Sequence, residues 1–264
     1  MGKIILQDID NVLYPFKEKH IEFLIDEKLI TKDVAERALA SKKPYIIDYF
    51  LFEERQGNSI KKATEILQKR YGARAKKTKK IIQERKVSIY QNENSLEIES
   101  LVFSTFEDFR ESELFQTGQI QEMIKTNKLL KQKHPELKII GITARGIHAK
   151  KEPELFEQIT NRTHTWNIKN DVGLDEIFFE KNKINAYNEI INKDEYKDHE
   201  VICFIEDDPK NIEPFLKIGI TCILIEFEHH EQEELVERLK DTYPNLIIAK
   251  NHEDASQIMM KLTT

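Results

Sequence analysis

Residues 201–226, VICFIEDDPKNIEPFLKIGITCILIE, decide the fold of this 264-residue chain. The apolar runs at 201–205 and 221–226 have the length of buried strands, and residues 211–217 between them have the composition of a short helix. Parallel strands need a crossover connection of about a dozen residues or more, and a helix commonly supplies it. This stretch therefore predicts one unit of a parallel α/β sheet.

The same alternation of apolar runs and helical segments continues on both sides of this unit. Further strands are predicted at 137–143, 176–179 and 246–249. Helices are predicted at 120–133, 154–160, 184–191, 231–240 and 254–262. Apolar strands separated by helices are typical of a parallel sheet that is covered on both faces, so we predict a Rossmann-like α/β core.

Residues 17–114 have a different character, because strand-like alternation is nearly absent and helix-forming residues dominate. Predicted helices begin near Glu18, after the N-cap Thr31, and after Asn58, and others lie at 45–54 and 75–90, with Gly72 as a helix C-cap. The apolar run 3–6 precedes this block and must join the later sheet, because a lone strand is unstable. We therefore predict a core of residues 1–16 and 115–264, with an inserted helical domain at 17–114.

The composition favours a well-solvated surface and gives no sign of a membrane partner. Charged residues make up 33% of the chain and its formal net charge is -6, which gives no overall argument for binding nucleic acid. No apolar run approaches the roughly 18 residues of a membrane span, and the N-terminus lacks the pattern of a secretion signal. Cys203 and Cys222 lie in apolar runs and are predicted to be buried thiols, so we expect a cytoplasmic protein.

Four polar clusters follow predicted strands. They are Asp8 with Asp10, then Thr143, then Lys181 or Lys183, and finally Glu206 with Asp207 and Asp208. In doubly wound sheets ligands bind at the carboxyl ends of the strands, so these clusters predict one site. An aspartate after a strand is also a common turn residue, but three adjacent carboxylates repel one another unless a cation offsets their charge. Oxygen ligands without clustered His or Cys favour Mg²⁺.

These residue types together suit phosphoryl transfer. One carboxylate can attack phosphorus, and a second can protonate the leaving oxygen and then deprotonate a water molecule. A hydroxyl group and a lysine can hold the remaining phosphate oxygens, and Mg²⁺ reduces the repulsion between the nucleophile and the phosphate. Every role in the reaction therefore has a candidate residue.

The order and spacing of the clusters resemble the four motifs of the haloacid dehalogenase superfamily. Residues 4–14, IILQDIDNVLY, are similar to the first motif, although Val12 stands where Thr is commoner and Gln7 interrupts the apolar run. Residues 139–143, IIGIT, are similar to the second motif, and residues 201–212, VICFIEDDPKNI, are similar to the fourth. The third motif is a lone lysine at a helix start, for which Lys183 fits better than Lys181.

The resemblance implies a role for each of these residues. Asp8 would be the nucleophile and Asp10 the general acid and base. Mg²⁺ would be held by Asp8, the backbone carbonyl of Asp10, and Asp207, with Glu206 or Asp208 assisting through water. Phosphate would be bound by Thr143, Ala144, Lys183, Asn11 and Arg145. Arg145 is equally open to interpretation as half of a structural ion pair. The helical insertion falls where the superfamily places a C1-type cap, which closes over the site and selects substrates.

The opening residues 8–15, DIDNVLYP, are similar to those of pyrimidine 5′-nucleotidase-like phosphatases. The resemblance therefore implies Mg²⁺-dependent hydrolysis of a small phosphorylated metabolite, such as a nucleotide, through an aspartyl-phosphate. The presence of both Asp10 and Asp207 favours phosphate chemistry over dehalogenation. Two alternatives are open: a phosphotransferase or mutase of the same superfamily, and a binding or regulatory protein with little turnover.

A basic stretch within the helical insertion bears on the choice of partner. It consists of Arg70, Arg74, Lys76, Lys77, Lys79, Lys80, Arg85 and Lys86. Such a surface can attract an anionic substrate or a phosphorylated nucleic-acid end, but a solvated helix face is the commoner role of a charge run. We therefore expect a small phosphorylated substrate, no membrane, and nucleic acid only as a phosphorylated end.

Overall fold

The structure is a computed structural model, and it describes residues 2–41, 43, 46–52, 58–85, 93–227 and 232–263. The backbone divides into two compact units, of which unit 1 is Met1–Pro15 with Gln116–Thr264 and unit 2 is Phe16–Phe115. The chain leaves unit 1 after its first strand and returns to it at Gln116. That unit 2 acts as a cap stays a prediction.

The described elements follow one another in this order. The strands are β1 (Gly2–Asp8), β2 (Lys138–Thr143), β3 (Glu176–Phe179), β4 (His199–Glu206), β5 (Thr221–Ile225) and β6 (Leu246–Ala249). The helices are α1 (Phe16–Asp26), α2 (Lys32–Ala40), α3 (Ile46–Phe52), α4 (Asn58–Arg85), α5 (Glu93–Glu111), α6 (Leu114–Thr117), α7 (Gln121–Lys133), α8 (Pro153–Lys169), α9 (Lys183–Asn192), α10 (Pro209–Lys217), α11 (Glu233–Thr242) and α12 (His252–Thr263). A 3₁₀ turn spans Ile147–Ala149. In the described part of the chain, no helix has the length and apolar character that crossing a membrane requires.

Unit 1 is built on a six-stranded sheet with the order β3-β2-β1-β4-β5-β6. Every neighbouring pair of strands is parallel. The predicted α/β class with a parallel sheet is therefore confirmed, and each predicted strand is present. From β1 the chain adds β2 and β3 on one side of the sheet and then β4, β5 and β6 on the other side. In a sheet of this kind ligands bind at this switch point, next to the carboxyl ends of β1 and β4.

Helices contact both faces of this sheet, because successive side chains of each strand point to opposite sides. Ile4 and Leu6 of β1 join a core cluster that includes Ile190 of α9 and Phe215 of α10. On the other face, α12 contacts β4, β5 and α7. Each fully buried aliphatic side chain in such a core contributes about 1.5–3 kcal/mol. The core thus fixes β1 between two helical layers.

Gln7 is the polar residue that interrupts the apolar run of β1, and its side chain is fully buried. Its amide group exchanges two hydrogen bonds with Asn127 of α7, since Gln7 Nε2 donates to Oδ1 at 2.9 Å and Asn127 Nδ2 donates to Oε1 at 3.0 Å. Gln7 Nε2 also lies 3.3 Å from Met259 Sδ of α12. The polar residue that interrupts the apolar run therefore joins β1 to α7 through hydrogen bonds inside the core.

Every regular element among the described residues of unit 2 is a helix, and α4 and α5 make its most extensive contact. The prediction that a helix ends at Gly72 is wrong, because α4 runs unbroken from Asn58 to Arg85. Gly72 does not have a positive φ, so its backbone does not adopt the left-handed conformation of a C-cap. A glycine inside a helix costs only about 1 kcal/mol relative to alanine, and buried Leu67, Tyr71 and Ala75 continue one apolar face past it.

Other local predictions in the helices have mixed outcomes. The N-cap Thr31 is confirmed, since its Oγ1 accepts a hydrogen bond from Val34 N at 3.4 Å. The predicted helix at 154–160 is longer in the structure, where α8 spans Pro153–Lys169. Of the predicted helix at 45–54, residues 46–52 form α3, whereas residues 45, 53 and 54 lie outside the described residues, as do 86–90 of the predicted helix at 75–90.

Candidate functional site

A tight turn after β1 presents the first group of predicted site residues. Leu13 N and Tyr14 N both donate to the carbonyl oxygen of Ile9, at 2.9 and 2.8 Å, and Asn11 N donates to Tyr14 O at 2.7 Å. Asn11 has a φ of 58°, a left-handed conformation that asparagine tolerates better than most residues. The turn holds the residues that follow Asp8 close to the carboxyl end of the sheet.

Three carboxylates converge at the ends of the two central strands. Asp8 ends β1, Glu206 ends β4, and Asp207 follows it. One carboxylate oxygen from each of the three lies within 4.8 Å of the others, and all three residues are buried. Asn11 Nδ2 donates a hydrogen bond to Asp207 Oδ2 at 3.0 Å. We call Asp8, Glu206 and Asp207 the acidic cluster.

Lys183, the first residue of α9, reaches into the acidic cluster. Its Nζ donates a short hydrogen bond to Asp8 Oδ1, lies 3.3 Å from Glu206 Oε2, and donates to the carbonyl oxygen of Ile142 at 3.1 Å. The side chain of Lys183 is buried, whereas Lys181 is exposed. Of the two lysines that the sequence offered, Lys183 is therefore the one that contacts the site.

Burial and mutual repulsion shift the pKa values of these groups. Burial is the main cause that raises the pKa of Asp8 to about 8; Glu206 raises it further, and Lys183 opposes the rise. Burial, followed by the charges of Glu206 and Asp8, also raises the pKa of Asp207 well above its usual range. Burial lowers the pKa of Lys183, but Asp8 and Glu206 outweigh it, so the net shift is upward and the ammonium stays charged.

The donor set of the acidic cluster fits a divalent cation. Three carboxylates face one ammonium, so the negative charge of the cluster exceeds its positive charge when all are ionised. The oxygen donors suit Mg²⁺ or Ca²⁺ rather than a soft metal. A bound cation would offset the repulsion that raises the carboxyl pKa values. Among the described residues, no other group of three such side chains lies this close together.

Asp10 lies beside the acidic cluster but makes a separate ion pair with Arg145. Arg145 Nε donates to both carboxylate oxygens of Asp10, at 3.0 and 3.2 Å. The guanidinium carbon lies 4.6 Å from the ring centroid of Tyr14 and 5.4 Å from that of Trp166, which is favourable for cation–π attraction. The structure thus shows the ion-pair role of Arg145, and its predicted contact with phosphate stays a prediction.

The remaining predicted site residues lie around this pair. Thr143 is buried at the end of β2, and its Oγ1 accepts a hydrogen bond from Arg145 N at 3.2 Å. Ala144, which follows it, is exposed. The structure does not bring Asp208 into the acidic cluster. Its Oδ1 instead accepts a hydrogen bond from Lys210 N at 3.0 Å, because the first turn of α10 needs an acceptor at its N-cap.

Two features of the site were missed by reasoning from the sequence. His252, the first residue of α12, places Nε2 2.7 Å from the carbonyl oxygen of Asn11. Tyr14 and Trp166 surround the guanidinium group of Arg145. These contacts join residues far apart in the chain, and no local pattern in the sequence indicates them.

Comparison with known proteins adds no assignment to this geometry. The sequence matches no protein-family model, and no curated protein matches it. Support for a function therefore comes from the acidic cluster, from Lys183 and from the short motifs that contain them.

Proposed function

We propose that this protein is a Mg²⁺-dependent phosphomonoester hydrolase that resembles the haloacid dehalogenase superfamily and acts through an aspartyl-phosphate at Asp8. The observation that carries the proposal is the convergence of the buried acidic cluster with Lys183 at the ends of β1 and β4. Doubly wound sheets bind their ligands at this position. Carboxylates beside a buried lysine are groups suited to phosphoryl transfer, since a carboxylate can act as the nucleophile and a lysine can stabilise charge on the phosphate oxygens.

Each of these residues then has a defined role in the reaction. An Asp8 carboxylate oxygen attacks phosphorus, and the bond to the leaving oxygen breaks as that oxygen takes a proton from Asp10. Water, deprotonated by Asp10, then attacks the phosphorus and releases inorganic phosphate and free Asp8. Lys183 stabilises negative charge on the phosphate oxygens. Bound Mg²⁺, held by Asp8 and Asp207, would neutralise charge on the phosphate and keep Asp8 ionised.

Arg145 and the turn after β1 support this chemistry by orienting Asp10. The two contacts from Arg145 Nε hold the carboxylate of Asp10 in one orientation. The Arg145 side chain is itself 4% exposed, so water competes little for these hydrogen bonds. We propose a small phosphorylated metabolite, such as a nucleotide, as the substrate because the opening motif is similar to that of nucleotidase-like phosphatases.

The test is phosphate release from nucleotides, sugar phosphates and phosphorylated nucleic-acid ends, with Mg²⁺ and with a chelator. Asp8→Asn should lower kcat by at least about 1000-fold, because an amide cannot replace the nucleophile. Asp194→Asn is the matched control, since that carboxylate is fully exposed and lies outside the site. Activity that survives Asp8→Asn, or no release from any monoester, would overturn the proposal.

A second experiment separates hydrolysis through a covalent intermediate from direct attack by water. Borohydride reduces an acyl phosphate, so quenching during turnover should convert Asp8 to homoserine, which peptide mass spectrometry detects. Finding homoserine at a position other than 8, or at no position while phosphate is released, would contradict the role given to Asp8. Transfer of the phosphoryl group to an added sugar in place of water would instead support a phosphotransferase.

A further inference from the structure

Helix α4 carries a concentration of positive charge that the proposed hydrolase chemistry does not use. Between Asn58 and Arg85 the sequence has ten basic residues and two acidic ones, a net charge of +8, whereas the whole chain has a net charge of -6. The helix has 28 residues and is about 42 Å long at 1.5 Å per residue. A charge of this size on one element gives unit 2 a local positive potential despite the acidic composition of the chain.

The arginines in the middle of α4 are used inside unit 2. Arg70 Nη2 contacts Glu27 Oε2 at 2.5 Å, and Arg74 Nη1 contacts Asp108 Oδ1 at 2.8 Å. Tyr71 Oη donates a hydrogen bond to the same Asp108 carboxylate at 2.8 Å. The charge of these two arginines is therefore offset within the unit, and they hold α4 against its neighbours.

The lysines of α4 are arranged differently. Lys62, Lys69 and Lys76 are exposed and follow one another at intervals of seven residues, so they lie in one row on the face opposite buried Leu67 and Tyr71. We call these three residues the lysine row. None of the three makes an ion pair with a described carboxylate. Their spacing along the helix is about 10.5 Å.

The chemistry of the lysine row selects its partner. Lysine is a strongly hydrated point charge that contacts phosphate without reading base identity. Single-stranded nucleic acids are usually held by exposed aromatic rings, but the one aromatic residue of α4, Tyr71, is buried. Helices that bind membranes insert an apolar face, whereas the apolar face of α4 packs against α5. A nucleic-acid duplex presents its phosphates in rigid rows. A straight row of lysines therefore fits a duplex better than it fits a single strand or a membrane.

We propose that the lysine row of α4 is a docking surface for the phosphodiester backbone of a nucleic-acid duplex, bound without regard to base sequence. Lys62 and Lys76 are 14 helical steps apart, or about 21 Å, which corresponds to about 6 base pairs of a duplex. This surface goes beyond the proposed phosphatase chemistry. It requires neither Asp8 nor Mg²⁺.

The test is fluorescence anisotropy of a labelled duplex of about 20 base pairs, with the full-length protein in EDTA at about 50 mM salt. We expect micromolar affinity for the wild type. The variant Lys62→Gln/Lys69→Gln/Lys76→Gln should bind at least about tenfold more weakly, and the slope of log K against log salt should fall by about 2 to 3. The control Lys125→Gln/Lys133→Gln/Lys169→Gln removes the same charge from exposed lysines of unit 1 and should bind within about twofold of the wild type.

Three results would overturn the proposal. The first is equal loss of affinity in both triple variants, which would mean that only net charge matters. The second is a preference of more than about tenfold for one base sequence, because the lysine row contacts no base edge. The third is binding to phosphatidylserine vesicles without binding to the duplex, which would identify a membrane surface as the partner. Circular dichroism of the variant Lys62→Gln/Lys69→Gln/Lys76→Gln checks that its helices are still folded.

Discussion

Two adjacent residues of β1 bury polar side chains in opposite ways. Gln7 points into the core toward α7, where it and Asn127 satisfy each other with two hydrogen bonds and carry no charge. Asp8 ends the same strand among two other buried carboxylates and one lysine, and its pKa is raised to about 8, chiefly by burial. The amide of Gln7 is uncharged and has its hydrogen-bond partner in Asn127. The carboxylate of Asp8, at the next position, lies close to two other carboxylates.

The difference separates a polar contact that supports the fold from one that weakens it. A satisfied amide pair replaces its hydrogen bonds to water and specifies how β1 and α7 pack. Buried like charges lower the free energy of unfolding, and they persist in proteins mostly where a ligand or cation compensates for them. Four experiments test this contrast.

Replacing Lys183 should have the largest effect. Lys183→Met leaves the three carboxylates without their cation and should lower the free energy of unfolding at about pH 8 by about 3 to 5 kcal/mol, as measured by urea titration. Lys181→Met is the matched control, because Lys181 is exposed, and it should change stability by less than about 0.5 kcal/mol. Similar losses in the two variants would mean that Lys183 does not compensate the acidic cluster.

The neighbouring aspartates after β4 give the next comparison. Asp207→Asn removes a carboxylate of the acidic cluster and should lower kcat/KM with Mg²⁺ by at least about 100-fold, or about 2.7 kcal/mol. Asp208→Asn changes only the N-cap of α10, where asparagine also serves, so activity should stay within about threefold. If Asp208→Asn were the more damaging change, the ligand role would belong to Asp208.

The Gln7–Asn127 pair can be tested with a double-mutant cycle. Gln7→Leu or Asn127→Leu alone removes both hydrogen bonds between the two amides, leaves the remaining amide oxygen without a donor, and should lower the free energy of unfolding by about 1 to 3 kcal/mol. The double variant should lose less than the sum of the two, with a coupling energy of about 1 kcal/mol, because neither amide is then orphaned. Strictly additive losses would show that the two amides do not depend on each other.

The smallest expected effect is a pH-dependent stabilisation by Mg²⁺. Asp8 has its pKa raised from 3.8 to about 8 in the folded chain. The folded state therefore holds a proton that the unfolded state releases, and the stability this gives is present below about pH 4 and lost as the pH rises toward about 8. Mg²⁺ binds the ionised carboxylates, so its stabilising effect should grow over the same range.

The measurement is the rise in Tm that Mg²⁺ causes at about pH 5 and at about pH 8. The rise should be larger at the higher pH by a few degrees. Asp207→Asn should remove most of it, whereas Asp208→Asn should keep it. A rise that is the same at both pH values would argue that Mg²⁺ does not bind at the acidic cluster.

Parts of this contrast could be predicted from the sequence. Asp8, Asp207 and Lys183 were predicted to meet because continuous apolar runs identify parallel strands, and the carboxyl ends of such strands share one edge. The fully buried Gln7 was visible only as an interruption. Its partner Asn127 lies 120 residues away, and no periodicity links two such positions.

The failures have equally local causes. Gly72 looked like a helix end because glycine favours C-caps, but the apolar face of α4 continued across it and tertiary packing decided the outcome. Glu206 and Asp208 were alternatives in the sequence for the carboxylate that assists through water. The start of α10 separates them, since it uses Asp208 as its N-cap, whereas Glu206 at the end of β4 lies in the acidic cluster.

Trp166 is the single tryptophan of the chain, and it is fully buried in unit 1 beside the guanidinium group that holds Asp10. The molecule therefore contains its own optical reporter. The emission of this indole follows the unfolding of unit 1 without interference from unit 2, which has no tryptophan. Any ligand that draws Arg145 away from Asp10 should also change the intensity of that emission, so occupancy of the site can be monitored without a label.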